Sequence, residues 1–315
     1  MGEWALKSSS AIMPKTNALD LAVYRARQII DLSRPKNAVH PLLALLMGYA
    51  MARGDSDISS GLFITFAIIV LLNFFATLQN DAIDKPIDQA SGRVTPLIRG
   101  EFSTPQVLTI AYCLAVTAVA LPVLLGSGPI TIFAIVYLFL AWCYNAPPWQ
   151  ASRRPLASLV ILALLLTGLP LAFGYYLVAG TIPVEIIGLA FGGFWLRFAN
   201  SILKDYKDYA GDKRYSKKTF LVAFGPRLTK RVSIIAAVVG YGVVLGIVTA
   251  RIQHTWISYL SVIILGFVIN YALWLRTRLR LTQRWFSVQN NEIFHRLLDV
   301  DIVFEVGIIL CLYFF

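Results

Sequence analysis

Apolar residues run along this chain in blocks too long for a soluble fold, interrupted by polar stretches at short intervals. A helix needs about 20 residues to cross the hydrocarbon core of a bilayer. Nine blocks reach or approach that length: 37–53, 60–80, 105–126, 128–146, 156–179, 182–203, 230–250, 255–275 and 298–315. The first and last are short enough to tilt or to stop at the interface. Ahead of the first block, "NALDLAVYRARQIIDLS" has mixed polar and apolar faces and reads as a helix lying along the membrane surface. No segment repeats at a fixed period and no low-complexity linker divides the chain, so the pattern predicts one all-α domain over residues 1–315. Its N-terminal segment, residues 1–36, precedes nine transmembrane helices.

Composition strengthens the membrane reading. With 57% hydrophobic and 14% charged residues and a mean hydropathy of +0.68, the chain cannot cover a soluble domain with polar surface. Cys113, Cys143 and Cys311 each sit in an apolar run without CxxC or Cys/His spacing and read as small buried hydrophobes. The charges ahead of the first block, with no small-residue cleavage pattern after it, argue against a removable signal peptide.

Charge then sets a topology, because basic residues gather in every second connection. Of the 28 Lys and Arg, all but Arg53, Arg197 and Arg251 fall in the N-terminal segment or in the second-to-third, fourth-to-fifth, sixth-to-seventh and eighth-to-ninth connections. The positive-inside rule places these, with the N-terminus, in the cytoplasm and the C-terminus on the opposite side. A cytoplasmic rim beside anionic lipid accounts for the net charge of +11 without any nucleic acid.

On this map two acidic clusters share the cytoplasmic face. "NDAIDKPID" ends the second helix and "KDYKDYAGD" ends the sixth. With helical geometry continued, Asn80, Asp84 and Asp88 fall at i, i+4 and i+8, and Asp205, Asp208 and Asp212 at i, i+3 and i+7, each set lining one stripe. Pro86 is expected to interrupt the first set and turn Asp88 relative to Asp84. Either cluster alone is also what a polar helix cap paired with lysines looks like. Two such stripes on one membrane face are not what solvated loops produce. Facing carboxylates repel unless a cation lies between them. Magnesium, a hard ion that takes carboxylates, waters and phosphate oxygens, is the expected occupant. Lys85, Arg93, Arg153, Arg154 and Lys204 lie on the same side and can hold the remaining phosphate charge. Arg197, inside the sixth helix, either snorkels or pairs within the bundle, or touches substrate.

At these residues the chain resembles the UbiA superfamily of intramembrane prenyltransferases. Asn80, Asp81, Asp84 and Asp88 match its NDxxDxxxD pattern; Asp205, Asp208 and Asp212 match the second, DxxDxxxD; the Arg34–Pro35 pair and the helix count agree. The resemblance implies a ring of helices around a central cavity, capped by the two long cytoplasmic loops and open laterally to lipid. It also implies two magnesium ions holding a polyprenyl diphosphate whose chain passes to a lipophilic acceptor. Two positions depart from the family: Pro148 stands four residues after Tyr144, where a lysine is usual, leaving Arg153 or Arg154 to replace it, and Thr95 stands where an arginine commonly precedes a proline.

By that resemblance Asn80, Asp84, Asp208 and Asp212 are the expected catalytic metal-shell residues, with Asp88 and Asp205 next, and Arg34, Lys85, Arg93, Arg153 and Lys204 the diphosphate contacts. Magnesium and basic side chains stabilise charge on the departing diphosphate, so that an allylic carbon ionises away from water. Tyr144 and Trp195 are the expected cation-stabilising faces, from a group that includes Phe74, Trp142 and Phe194. His40, His254 and His295 show no ligand spacing. Asn200 and Ser201 stand where archaeal lipid-forming members tend to carry Arg and Glu, and "TPLIRGEFS" looks like the corresponding stretch of phenol-prenylating members, so an aromatic acceptor is expected. A lipid or sugar phosphate acceptor and terpene cyclisation are the alternatives within the family. A cation-coupled transporter is the alternative outside it, disfavoured because transporters keep ion sites near the midplane.

Overall fold

The computed structural model describes residues 18–53, 59–90, 94–251, 256–281 and 287–314, and among these every regular element is helical. The α-helices are α1 (Ala18–Ser33), α2 (Val39–Arg53), α3 (Ser60–Ala90), α4 (Thr104–Leu124), α5 (Gly128–Asn145), α6 (Pro155–Ala163), α7 (Leu169–Ala179), α8 (Val184–Ser201), α9 (Tyr209–Arg214), α10 (Phe220–Thr249), α11 (Trp256–Arg278) and α12 (Val288–Phe314). Among the described residues seven spans are long and apolar enough to cross a membrane, α6 and α7 together forming one of them. Of the two other expected spans, α2 has only 15 residues, and α12 carries Asp299, Asp301 and Glu305 along its length. The chain is a multi-pass integral membrane protein. Its large apolar side chains, such as Val116, Phe139, Ile263 and Phe267, are exposed on the outer faces of the helices, as lipid contact requires.

Three boundaries differ from the sequence expectation. Pro86 does not interrupt α3, which runs on to Ala90; a proline removes one ladder hydrogen bond, and α1 packs alongside α3. The second acidic cluster is not one stripe. α8 ends at Ser201, tightens through a Leu203 N–H bond to the Asn200 carbonyl into a 3-10 turn at Lys204–Tyr206, and resumes as α9. The seventh span begins at Phe220, ten residues earlier than its apolar block, because Thr219 caps it and Gly225, at φ 77°, lets the backbone turn ahead of Pro226. A π-helical turn, Leu164–Gly168, joins α6 to α7 and has no sequence signal.

The core divides into two clusters. One gathers α3, α4 and α5; the other gathers α8, α10, α11 and α12; α2 and the α6–α7 span contribute to both. At that seam backbones touch. A Cβ on Gly48 would collide with the Leu171 carbonyl, and one on Gly174 with the Leu45 carbonyl, so glycine is what lets α2 and α7 close. Each half delivers one acidic cluster to the same end.

Candidate active site

The first acidic cluster sits on the last turns of α3, with Asp81 and Asp84 buried and engaged by different cations. Asp81 forms an ion pair with Arg34, whose backbone takes a left-handed φ of 50° just before Pro35. This pair lines a polar cavity of about 270 Å³ with Asp31, Thr95 and Arg99. Arg99 donates to Gln28 Oε1 at 3.1 Å and to Glu101 Oε1 at 2.5 Å, so the 94–103 loop is tied to α1.

Asp84 faces the other cluster. Lys217 Nζ lies 3.3 Å from Asp84 Oδ2, and the same ammonium feels Asp212, Tyr144 and Asp205. Burial opposes its charge, but the surrounding carboxylates outweigh burial and hold Lys217 above the ordinary lysine range. Asp212 shows the converse. Burial first, then the neighbouring Asp205 and Asp208 carboxylates, push it up to about 8, against the opposing pull of Lys217. Asp205 and Asp212 are both buried, and Asp208 is half-buried between them in sequence.

Tyr144 joins the group from α5. Lys204 Nζ donates to its hydroxyl at 2.7 Å and stands 5.4 Å from its ring centroid. Asn145, the next residue, donates to the Ala76 carbonyl of α3 at 2.8 Å, which fixes the end of α5 against the helix that carries Asp84. Two ammonium groups, a phenol and carboxylates of both clusters thus converge at one end of the bundle.

Among the described residues no group of three or more His, Cys, Asp or Glu is closed to metal-ligating distance. Uncompensated carboxylates stay apart, and here the Lys217 ammonium supplies the positive charge. Lys85 and Asn80 are half-buried on α3, and Asp88, also half-buried, lies one turn beyond Asp84. Arg153 and Arg154 are exposed in the short turn after α5. Arg93 lies outside the described residues, as does His254. Trp195 belongs to a different aromatic group, edge-on to Phe191, Phe194 and Phe198. Trp142 and Phe75 line an apolar groove of about 600 Å³ between α4 and α5.

The sequence reading missed Lys217, one of nine basic residues in its connection, and two buried ion networks. Arg197 donates to Glu305 Oε1 at 2.5 Å and lies 3.0 Å from His40 Nδ1, which is itself 3.0 Å from Glu305 Oε2, so Arg197 pairs within the bundle. Arg276 donates to Asn200 Oδ1 at 2.5 Å, Asn200 donates to Asp301, and Tyr241 donates to Asp301 Oδ1 at 2.7 Å. The intramembrane acids of α12 were the signal that could have found both.

Residues 42–297 match the UbiA prenyltransferase family. The chain belongs to that family. It is a prenyltransferase of the UbiA type. It is 29% identical over 235 residues to digeranylgeranylglyceryl phosphate synthase of Korarchaeum cryptofilum, covering 74% of this chain and 79% of that protein. It is 26% identical over 261 residues to homogentisate phytyltransferase 1, chloroplastic, of Arabidopsis thaliana, covering 78% and 66%. The fold matches a UbiA homologue from Archaeoglobus fulgidus bound to GPP and Mg2+, with a TM-score of 0.67, 17% identity, and 90% and 99% of the two chains covered.

Proposed function

We propose that this UbiA enzyme transfers the prenyl chain of a polyprenyl diphosphate to a lipophilic acceptor with the help of two magnesium ions held at the cytoplasmic end of the bundle. The observation that carries the reading is Lys217, a cation lodged where carboxylates of both clusters converge. Asp212, pushed up to about 8 by burial and by the Asp205 and Asp208 carboxylates, would ionise more readily with a cation beside it. Carboxylate oxygens are the donors magnesium prefers, and the Archaeoglobus fulgidus homologue was solved with GPP and Mg2+.

In this reading Asn80, Asp84, Asp88, Asp205, Asp208 and Asp212 would hold the metal, which supplies positive charge to the diphosphate as it departs. Lys204 and Lys217 take diphosphate oxygens, with Lys85, Arg34, Arg93 and Arg153 on the same face. Tyr144 orients Lys204 through its hydroxyl and offers its ring to the allylic cation. Burial of the site keeps water from that cation. The helices α2 and α12 complete a nine-span ring, with the long loops on the cytoplasmic side.

An aromatic acceptor is the reading we favour. Asn200 is buried and bonded to Arg276 and Asp301, so it is not offered to a phosphate, and the homogentisate phytyltransferase is among the relatives. A glycerophosphate lipid is the competing reading, favoured by the relatives named digeranylgeranylglyceryl phosphate synthase. Mass spectrometry of products from geranylgeranyl diphosphate, with a phenolic acid and a glycerophosphate lipid in the same reaction, decides between them. A prenylated phenol is expected; a prenylated glycerophosphate alone would overturn the aromatic reading.

A further inference from the structure

The second acidic cluster leaves regular helix at Ser201, and backbone groups in it are bonded far away in sequence. Ser287 N–H donates to the Lys207 carbonyl at 2.9 Å, and Asn290 Nδ2 donates to the Tyr206 carbonyl at 3.1 Å. These two consecutive carbonyls lie between Asp205 and Asp208. A third contact comes one turn further along α12, where Lys207 Nζ stands 5.6 Å from the centroid of the Phe294 ring. Asn290 is 3% exposed, and both the nitrogen and the oxygen of its carboxamide are engaged. It also donates to the Arg280 carbonyl at 2.7 Å and accepts from Arg280 N–H at 3.2 Å. One side chain therefore locks the end of α11, the start of α12 and the peptide between two acidic residues. Nothing else about the site requires residues 287–294, since none of them contributes a carboxylate or an ammonium to it.

We infer that Ser287, Asn290 and Phe294 are positioning residues that set the directions of Asp205 and Asp208 and thereby the divalent-metal affinity of the site. The inference rests on the metal reading above. A carbonyl fixed on each side of a peptide leaves the flanking Cα–Cβ vectors little freedom. Partners of this kind, one layer behind the ligands, typically change metal affinity about 10- to 100-fold when removed. Asn290→Ala frees the Tyr206 and Arg280 carbonyls, whereas Asn290→Asp keeps the acceptor for Arg280 N–H but sets an oxygen against those two carbonyl oxygens.

The test uses the full-length protein in nanodiscs, with Mn2+ as the probe, binding read from loss of the free-ion electron paramagnetic resonance signal and melting temperature recorded alongside. Asn290→Ala and Asn290→Asp are expected to weaken Mn2+ binding about tenfold or more. Ser233→Ala is the control, because it removes a comparably buried hydrogen bond, 2.7 Å to the Ala199 carbonyl, without touching the cluster; it should lower the melting temperature and leave Mn2+ binding unchanged. Phe294→Leu, which keeps apolar volume but loses the ring face, should weaken binding two- to threefold, about the effect of an exposed cation–π contact. Unchanged Mn2+ affinity in the Asn290 variants overturns the inference, and if neither folds, unchanged affinity in Phe294→Leu does so alone. Wild-type protein that binds no Mn2+ fails the metal reading instead.

Discussion

Lys217 Nζ and Asp84 Oδ2 stand 3.3 Å apart across 133 positions of sequence, and this contact, with that of Lys204 and Tyr144, is where the two halves of the bundle meet at the site. The first acidic cluster arrives on α3 from one core and the second follows α8 from the other. A lysine from the loop after α9 lies between them. Removing it should therefore do two opposite things. Lys217→Met is expected to let Mg2+ raise the melting temperature at lower concentration in the absence of donor, because no ammonium must be displaced. It is also expected to slow pyrophosphate release about 100-fold, the usual cost of losing one charge-stabilising donor. Unchanged turnover would remove Lys217 from the diphosphate site.

Asp212 sets a pH dependence. Its ordinary value is near 3.9, and in the folded protein it is pushed up to about 8. Between those values the folded state binds more protons than the unfolded state, so the contribution of this group to stability falls as pH rises through that window. Metal-free wild type should lose melting temperature from about pH 5 to about pH 8 more steeply than Asp212→Asn, which has no proton to give up. Parallel curves for the two proteins would contradict the assignment.

Much of this was legible before any coordinates, and what was not has a physical reason. The apolar blocks located seven spans, because a bilayer demands them, and the spacing of the acids singled out Asp84, Asp205 and Asp212, which the fold brings around Lys217. The break after Ser201 was invisible, since Asn290 and Ser287, which hold the Tyr206 and Lys207 carbonyls, lie some eighty residues further on. Lys217 was hidden among like neighbours; only folding tells which lysine of a basic loop turns inward. Arg197 carried two readings until Glu305 and His40 appeared beside it.

That buried network makes its own prediction. Arg197→Met leaves Glu305 without its guanidinium and should destabilise the protein by about 3 to 5 kcal/mol. The double variant Arg197→Met, Glu305→Leu should recover part of the loss, because it also removes the buried carboxylate that His40 alone would otherwise face. Reversible unfolding in mixed micelles measures both, and a double variant no better than the single would contradict the pairing.

The basic connections predict an orientation that can be tested. In a cysteine-free background, Lys213→Cys lies in α9 and Leu125→Cys at the opposite end of α4. A membrane-impermeant maleimide applied to intact cells should label Leu125→Cys and spare Lys213→Cys. The reverse pattern would invert the topology.

Mn2+ binding to wild type, Asp84→Asn and Asp208→Asn, in the presence of a non-reactive prenyl thiolodiphosphate, bears on both acidic clusters at once. The account predicts two ions bound by wild type and a loss of at least one from each variant, although Asp84 and Asp208 belong to different halves of the bundle. Full wild-type binding in both variants would contradict a shared metal and diphosphate site.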